Sequence, residues 1–264
     1  MFMTLRFEAL LWLLVGITAV WVVSMKARDA SLVDLCWGPL FAAQGVFHLL
    51  LADSPGLRGT LAVAITVLWA ARLSLHLAMR NLGAGEDRRY AEMRRAGGSG
   101  WGWRSLVTVF WFQALLSWLI AWPLAIAATR PGSPGWLGWL GAVLAVTGLA
   151  LEAVADAQLR RFKAREAARP DASAPRGVMD LGLWRYSRHP NYFGDAVFWW
   201  GLWMLALDAG AALVSVAAPL GMTFLLIKIS GIPLLEGHLE STRPGYAAYA
   251  RRTSEFVPWF PRDH

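Results

Sequence analysis

Between Trp184 and Asp195 the chain reads Trp-Arg-Tyr-Ser-Arg-His-Pro-Asn-Tyr-Phe-Gly-Asp, a density of hydrogen-bonding groups that a plain connecting loop does not need. Pro190 suits the first turn of a helix, so the backbone N–H groups after it and the positive end of the helix dipole would face a pocket where an anion is favoured. On that helix Asn191 and Asp195 stand one turn apart on one face. An interfacial aromatic belt would account for Arg185, Tyr186 and Tyr192, but it has no need of His189, Asn191 and Asp195 together. Upstream, Glu152, Asp156 and Arg160 recur every four residues and Lys163 extends the same face. Such a row is either a ladder of paired charges along one helix or a polar cleft. In a cleft, the carboxylates would hold a ribose or amide and the cations a phosphate. Nearer the N-terminus Arg72, His76 and Arg80 form a third stripe. Pairing Asp34 with Arg72 or His76 would satisfy both segments.

The elements that must carry these groups are apolar. The 264 residues are 56% hydrophobic and 16% charged, with mean hydropathy +0.42, outside the range of an ordinary soluble domain. A helix needs roughly 20 apolar residues to cross the hydrocarbon layer. Spans are expected near Leu10–Met25, Leu32–Ala52, Leu61–Met79, Leu106–Ala128, Trp136–Ala155, Tyr192–Leu207 and Ala211–Leu235. No segment alternates like a strand, and backbone in lipid must satisfy its own hydrogen bonds. The expectation is an all-α integral membrane protein of about seven transmembrane helices. Residues 1–264 would form a single transmembrane domain, with substrate-side helices in 1–130 and cofactor-binding helices and loops in 131–264. The first span lacks a small-residue cleavage pattern and reads as a retained helix.

Most of the 25 basic residues follow the first, third, fifth and seventh spans, while the opposite loops hold Arg58 and Arg130. That asymmetry places the N-terminus outside and the C-terminus in the cytoplasm. It also explains the net charge of +7 by topology and anionic lipid, without nucleic acid. Gly97, Gly98, Gly100 and Gly102 resemble a phosphate loop only in composition, since no strand precedes them and no Lys-Ser follows. The single Cys36 excludes a disulfide framework and a cysteine-based zinc site. His48, His76, His189, His238 and His264 include no close pair, which argues against a di-iron centre; no metal site is expected.

The run Arg188-His189-Pro190-Asn191-Tyr192-Phe193-Gly194, the helix Glu152-Ala-Val-Ala-Asp156, and the tail Gly245-Tyr246-Ala-Ala-Tyr249 ending in Phe256-Val-Pro258-Trp-Phe260 resemble the bacterial DUF1295 family. That family looks related to the steroid 5-alpha-reductases, the sterol C14-reductases and, more distantly, the isoprenylcysteine carboxyl methyltransferases. The resemblance implies a seven-helix reductase of the bacterial inner membrane that takes NADPH from the cytoplasm and reduces a lipid-like substrate. It assigns cofactor contacts to Glu152, Asp156, Arg160, Lys163, Tyr186, Arg188, His189, Asn191, Tyr192, Asp195, His238, Tyr246 and Tyr249. Glu152 stands where the steroid enzymes have an asparagine, and Asp195 replaces a glutamate. The substrate-binding glutamate and tyrosine of those enzymes are not plainly reproduced, and Asp34, His76 and Tyr90 are the candidates for their roles.

Reduction of an activated C=C bond requires a hydride donor, a group that polarises the carbonyl, and a proton for the neighbouring carbon. A buried acid or histidine among Asp34, Arg72 and His76 could serve the last two purposes. The alternative enzyme class is an S-adenosylmethionine-dependent methyltransferase, which also carries an Arg-His-Pro run and a C-terminal acidic helix, here with Glu236. The basic residues suit the extra phosphate of NADPH better than a zwitterionic methyl donor. A non-catalytic lipid-binding or transport protein would instead line a through-path with polar groups, whereas these gather at one face.

Overall fold

A computed structural model describes residues 2–83, 85–169, 177–229 and 232–262, and among them the regular structure is helical throughout. In chain order the helices are α1 (Phe2–Ala27), α2 (Leu32–Leu50), α3 (Leu57–Asn81), α4 (Arg88–Ile120) and α5 (Trp122–Thr129). They continue with α6 (Trp136–Ala167), α7 (Pro190–Asp208), α8 (Leu213–Ile229), α9 (Ile232–Thr242) and α10 (Tyr246–Arg252). The starts follow local chemistry. The Asp87 carboxylate accepts the Arg89 N–H at 2.9 Å and caps α4, while Pro123 and Pro190 occupy first-turn positions of α5 and α7, where no N–H is needed.

Five helices, α1, α2, α3, α4 and α6, contain windows long and apolar enough to cross a bilayer. The chain is therefore a helical membrane protein. The fourth of these differs from the expected Leu106–Ala128: it runs from Arg88 to Ile120 and stops there, because Pro123 cannot donate to the preceding turn and forces a new helix. A widened turn at Leu106–Trp111 interrupts it. α7 has 19 residues, but Asn191, Asp195 and Asp208 dilute its apolar character. α8 is apolar but shorter, with its described residues running from Leu213 to Ile229.

The helices group into two compact units. The first comprises Met1–Ala142 and Trp203–Ala218, the second Val143–Leu202 and Pro219–His264. In the first unit Leu13, Ile17, Val33, Leu40, Tyr90, Trp101 and Phe110 form a buried core. Leu11, Trp12 and Val15 on α1 are more than 60% exposed, as suits a lipid-facing side. Arg6 is buried on the same helix. Its guanidinium donates to the Trp118 carbonyl at 2.8 Å and lies 4.6 Å from the Trp118 ring centroid, so a carbonyl and an aromatic face replace water around its charge.

Arg58 has a structural role in this unit. Its Nε donates to Asp208 at 2.8 Å and its terminal nitrogens to the Pro131 and Ser133 carbonyls, while the Gly135 N–H also donates to Asp208. Burial opposes the Asp208 charge, but the backbone donors and Arg58 outweigh it and hold the carboxyl below its usual range. Asp208→Asn is expected to lower the stability of the detergent-solubilised protein by about 1.5–3 kcal/mol at neutral pH, the range for a hydrogen bond to a charged group. Because the folded value is depressed, the difference from the parent persists above about pH 4 and closes as pH falls through that value. Thermal unfolding of parent and variant across pH measures both effects.

In the second unit α6 and α7 cross with their backbones in contact. A Cβ on Gly148 would lie 2.5 Å from the Gly194 carbonyl, and one on Gly194 would lie 2.6 Å from the Glu152 nitrogen, so no side chain fits at either position. That approach brings the polar faces read from the sequence onto one another.

Candidate functional site

On the facing sides of α6 and α7, Glu152, Asp156 and Asp195 are each at least 93% buried. Asn191 bridges the two helices, its Nδ2 donating to Asp156 Oδ1 at 3.1 Å. The Asn191 Oδ1 is buried with no hydrogen-bond partner among the described residues, and the same holds for Arg188 Nε. The unmatched acceptor on Asn191 and the unmatched donor on Arg188 are the kinds of group that an amide or hydroxyl and an anion would satisfy. Arg160 and Lys163, further along α6, are exposed and suit phosphate oxygens reached from water.

The segment before α7 is held by the C-terminal region. Tyr249 donates to the Trp184 carbonyl at 2.6 Å, and the Trp184 indole donates to the Ala155 carbonyl of α6 at 3.0 Å. The Arg188 N–H donates to Ser254 O at 2.8 Å, Ser187 Oγ to Phe256 O at 2.8 Å, and the Trp259 N–H to Tyr186 O at 2.9 Å. The His189 N–H donates to Ser187 Oγ, and the His189 ring stacks on Tyr192 at a centroid distance of 5.6 Å.

Glu236 on α9 gathers this segment. Its Oε1 lies 2.9 Å from Arg188, 3.0 Å from His189 Nε2 and 3.1 Å from the Tyr246 hydroxyl. The carboxylate partner makes Nε2 the protonated nitrogen of His189. Burial would raise the Glu236 carboxyl, but the His189 hydrogen bond and the Arg188 charge outweigh it and hold the group below its usual range. Burial, then the Glu236 charge, pushes the Tyr246 phenol up; burial, then Tyr246, does the same to Tyr249. Both phenols therefore stay protonated and act as donors at neutral pH.

The first unit carries a separate polar cluster. Asp34 Oδ1 accepts the Tyr90 hydroxyl at 2.6 Å and Oδ2 accepts Arg89 at 3.1 Å. Gln113 donates to the Tyr90 oxygen at 3.4 Å. Arg89 is also bonded to Asp87, and Ser31 on the incoming turn accepts the Asp87 N–H at 2.7 Å, which fixes the start of α4 beside α2. Between α1 and α2 lies a cavity of about 480 Å³ whose wall is almost wholly apolar, with Trp12, Ile17, Leu40, Phe47 and Cys36 among its lining. Cys36 is two residues beyond Asp34.

The structure thus joins Asp34 to Tyr90, Asp156 to Asn191, and Arg188 and His189 to Tyr246. The partners described for Asp34 are Tyr90 and Arg89, in place of the expected Arg72 or His76; those two lie half-buried on α3. Tyr186 is 38% exposed and sets its ring edge-on to Phe260 at 6.2 Å. The His238 side chain and residues 170–176 lie outside the described residues. Arg89 and Gln113 were not among the expected site residues, and Glu236 was expected only in the methyltransferase alternative. The signals for them were an acid at the end of an apolar helix, a basic neighbour of Tyr90, and an amide inside a span.

These features define a helical membrane protein with an acid–tyrosine pair in one unit and a buried carboxylate–amide contact and an arginine–carboxylate cluster in the other. The chain belongs to the family described as protein of unknown function DUF1295, which it matches over residues 20–253. It is also 26% identical over 267 residues to an uncharacterized protein of Schizosaccharomyces pombe, an alignment that covers 92% of this chain and 77% of the relative. No solved structure matches the chain.

Proposed function

We propose that this protein is a membrane-embedded, NADPH-dependent reductase of an activated C=C bond in a steroid-like or other lipid substrate. The observation that carries the reading is the Tyr90–Asp34 hydrogen bond of 2.6 Å. Methyl transfer from a sulfonium needs no proton donor at a carbonyl, whereas reduction of an enone does. The resemblance to steroid and sterol reductases supports the same class. In this reading the chain crosses the membrane seven times, with α7 and α8 as the sixth and seventh spans. At about 1.5 Å per residue the 19 residues of α7 extend about 28 Å, close to the hydrocarbon thickness. The N-terminus lies outside, and the C-terminus lies in the cytoplasm of a bacterial cell.

The second unit holds the cofactor. Asn191 Oδ1 is the acceptor for an amide or ribose donor, Asp156 fixes the Asn191 rotamer, and Arg188, Arg160 and Lys163 face the phosphates. Glu236, with His189 and Tyr246, fixes Arg188 rather than touching the ligand. NADPH, when bound, supplies the hydride. On substrate binding in the first unit, Tyr90 turns its one hydroxyl hydrogen from Asp34 to the substrate carbonyl, while Gln113 continues to donate to the phenol oxygen. Arg89 keeps the Asp34 charge matched, and His76 is the candidate for proton return. The apolar cavity between α1 and α2 suits a lipid skeleton.

The deciding measurement is titration of purified protein with NADPH, NADH and S-adenosylmethionine. NADPH is expected to bind most tightly. Asp156→Ala and Asn191→Ala should each weaken it about ten- to a hundred-fold while the protein remains folded, since a hydrogen bond to a charged group contributes about 1.5–3 kcal/mol. Tighter binding of S-adenosylmethionine, with Glu236 facing its sulfonium, would instead favour the methyltransferase.

A further inference from the structure

The end of α6 gives a depth marker. Its expected span, broken only by the buried Glu152, ends at Ala155, after which Asp156, Arg160 and Arg161 follow. The Trp184 indole donates to the Ala155 carbonyl, and the Leu183 N–H donates to the Gln158 side chain at 3.0 Å. The segment Leu181–Tyr186 therefore sits at the level where α6 leaves the hydrocarbon. The C-terminal tail is tied to that level by the Trp259–Tyr186 backbone bond, and its end is tied to α10 by the Arg262 N–H bonded to the Arg252 carbonyl at 2.9 Å.

At this level the surface is apolar and open. Leu181 is 65% exposed, Val257 55%, Trp259 68% and Phe260 76%, while the Trp259 and Arg262 N–H groups anchor the tail backbone. The same segments carry exposed Arg185, Arg251 and Arg262. Rings and aliphatic groups beside cations, at the depth where a helix exits the bilayer, match the headgroup layer, in which Trp and Phe partition and arginine meets phosphate. A second copy would bring the same arginines face to face, which a chain of net charge +7 disfavours.

We propose that the tail from Val257 to Arg262, with Leu181 and Arg185, is a bilayer-docking surface that rests on anionic phospholipid headgroups. The test uses the full chain carrying Cys36→Ala and Phe260→Cys, labelled at position 260 with an environment-sensitive fluorophore. The labelled protein is reconstituted in phosphatidylcholine vesicles with and without phosphatidylglycerol. Emission is expected to be blue-shifted and brighter in the anionic vesicles, and lipids spin-labelled near the headgroup should quench it more than lipids labelled at the chain end. Arg185→Glu with Arg262→Glu should remove most of the gain from phosphatidylglycerol. A label at Trp259→Cys reports the same outcome independently of Phe260. Water-like emission in both lipids at both positions overturns the proposal. So does shielding that lipid-borne quenchers do not reach and that grows with protein-to-lipid ratio, which would assign the face to a second copy.

Discussion

Tyr90→Phe is expected to bind NADPH as the parent does and to turn over a lipid enone about 10²–10⁴-fold more slowly, the range that a positioned proton donor contributes. The substitution removes one oxygen from a hydrogen-bonded set in which the phenol is the donor to Asp34 at 2.6 Å. Asp34→Asn should have a smaller effect on the rate of the chemical step, because an amide oxygen still accepts from Tyr90. It also leaves Arg89 without one of its carboxylates, and some loss of stability should accompany it. The two variants are separated by measuring cofactor affinity, single-turnover oxidation of NADPH and thermal unfolding on the same preparations. Turnover of Tyr90→Phe at the parent rate would remove the acid role from the first unit and with it the main ground for preferring a reductase.

Glu236→Ala is expected to destabilise the second unit by about 1.5–3 kcal/mol, because the substitution leaves a half-buried arginine and the other donors to one carboxylate without their acceptor. The pH dependence has a definite sign. The folded carboxyl is held below its unfolded value, so its contribution is complete above about pH 4.5 and is lost as pH falls through the folded value. Parent and variant should differ most at neutral pH and converge in acid. Glu236→Gln should recover part of the stability, since its side-chain oxygen can still accept from Tyr246 and Arg188. Unfolding followed by intrinsic fluorescence at a series of pH values reads all three proteins. Equal stability of the alanine variant and the parent at neutral pH would mean that Arg188 finds another partner.

Spans and site segments differed in how far they could be read from the residues alone. Long runs of Leu, Ala and Val announce α1, α2, α3 and α6, because nothing but a helix satisfies backbone in lipid. The fourth was misplaced for a local reason: Trp122 and Pro123 look apolar enough to continue a span, but proline lacks the N–H that continuation requires. Asp156 and Asn191 were legible as members of helical polar faces, yet the bond between them depends on how two helices cross, which no single-helix pattern contains. The Asp34–Tyr90 pair was hidden for the same reason, since its members are 56 residues apart and the nearer polar stripe on α3 offered a competing partner. The tail was the least legible part. Its hydrogen bonds with Tyr186, Ser187 and Arg188 are made by its backbone carbonyls and amides, which leave no mark in the identity of its side chains.

The contact of Gly148 with Gly194 has a consequence for how this pocket can change over evolution. Where helices are separated by side chains, their spacing can be adjusted by a methyl group at a time, and a pocket can widen or narrow by drift in its packing. Here the spacing is set by the radii of two backbones, which have no smaller value to move to. The gap between Asp156 and Asn191 therefore behaves as a fixed gauge. If this crossing holds the proposed cofactor, a new specificity cannot arise by loosening the scaffold; it has to come from exchanging the groups that line the gauge, while a single methyl at either glycine would push the two helices apart.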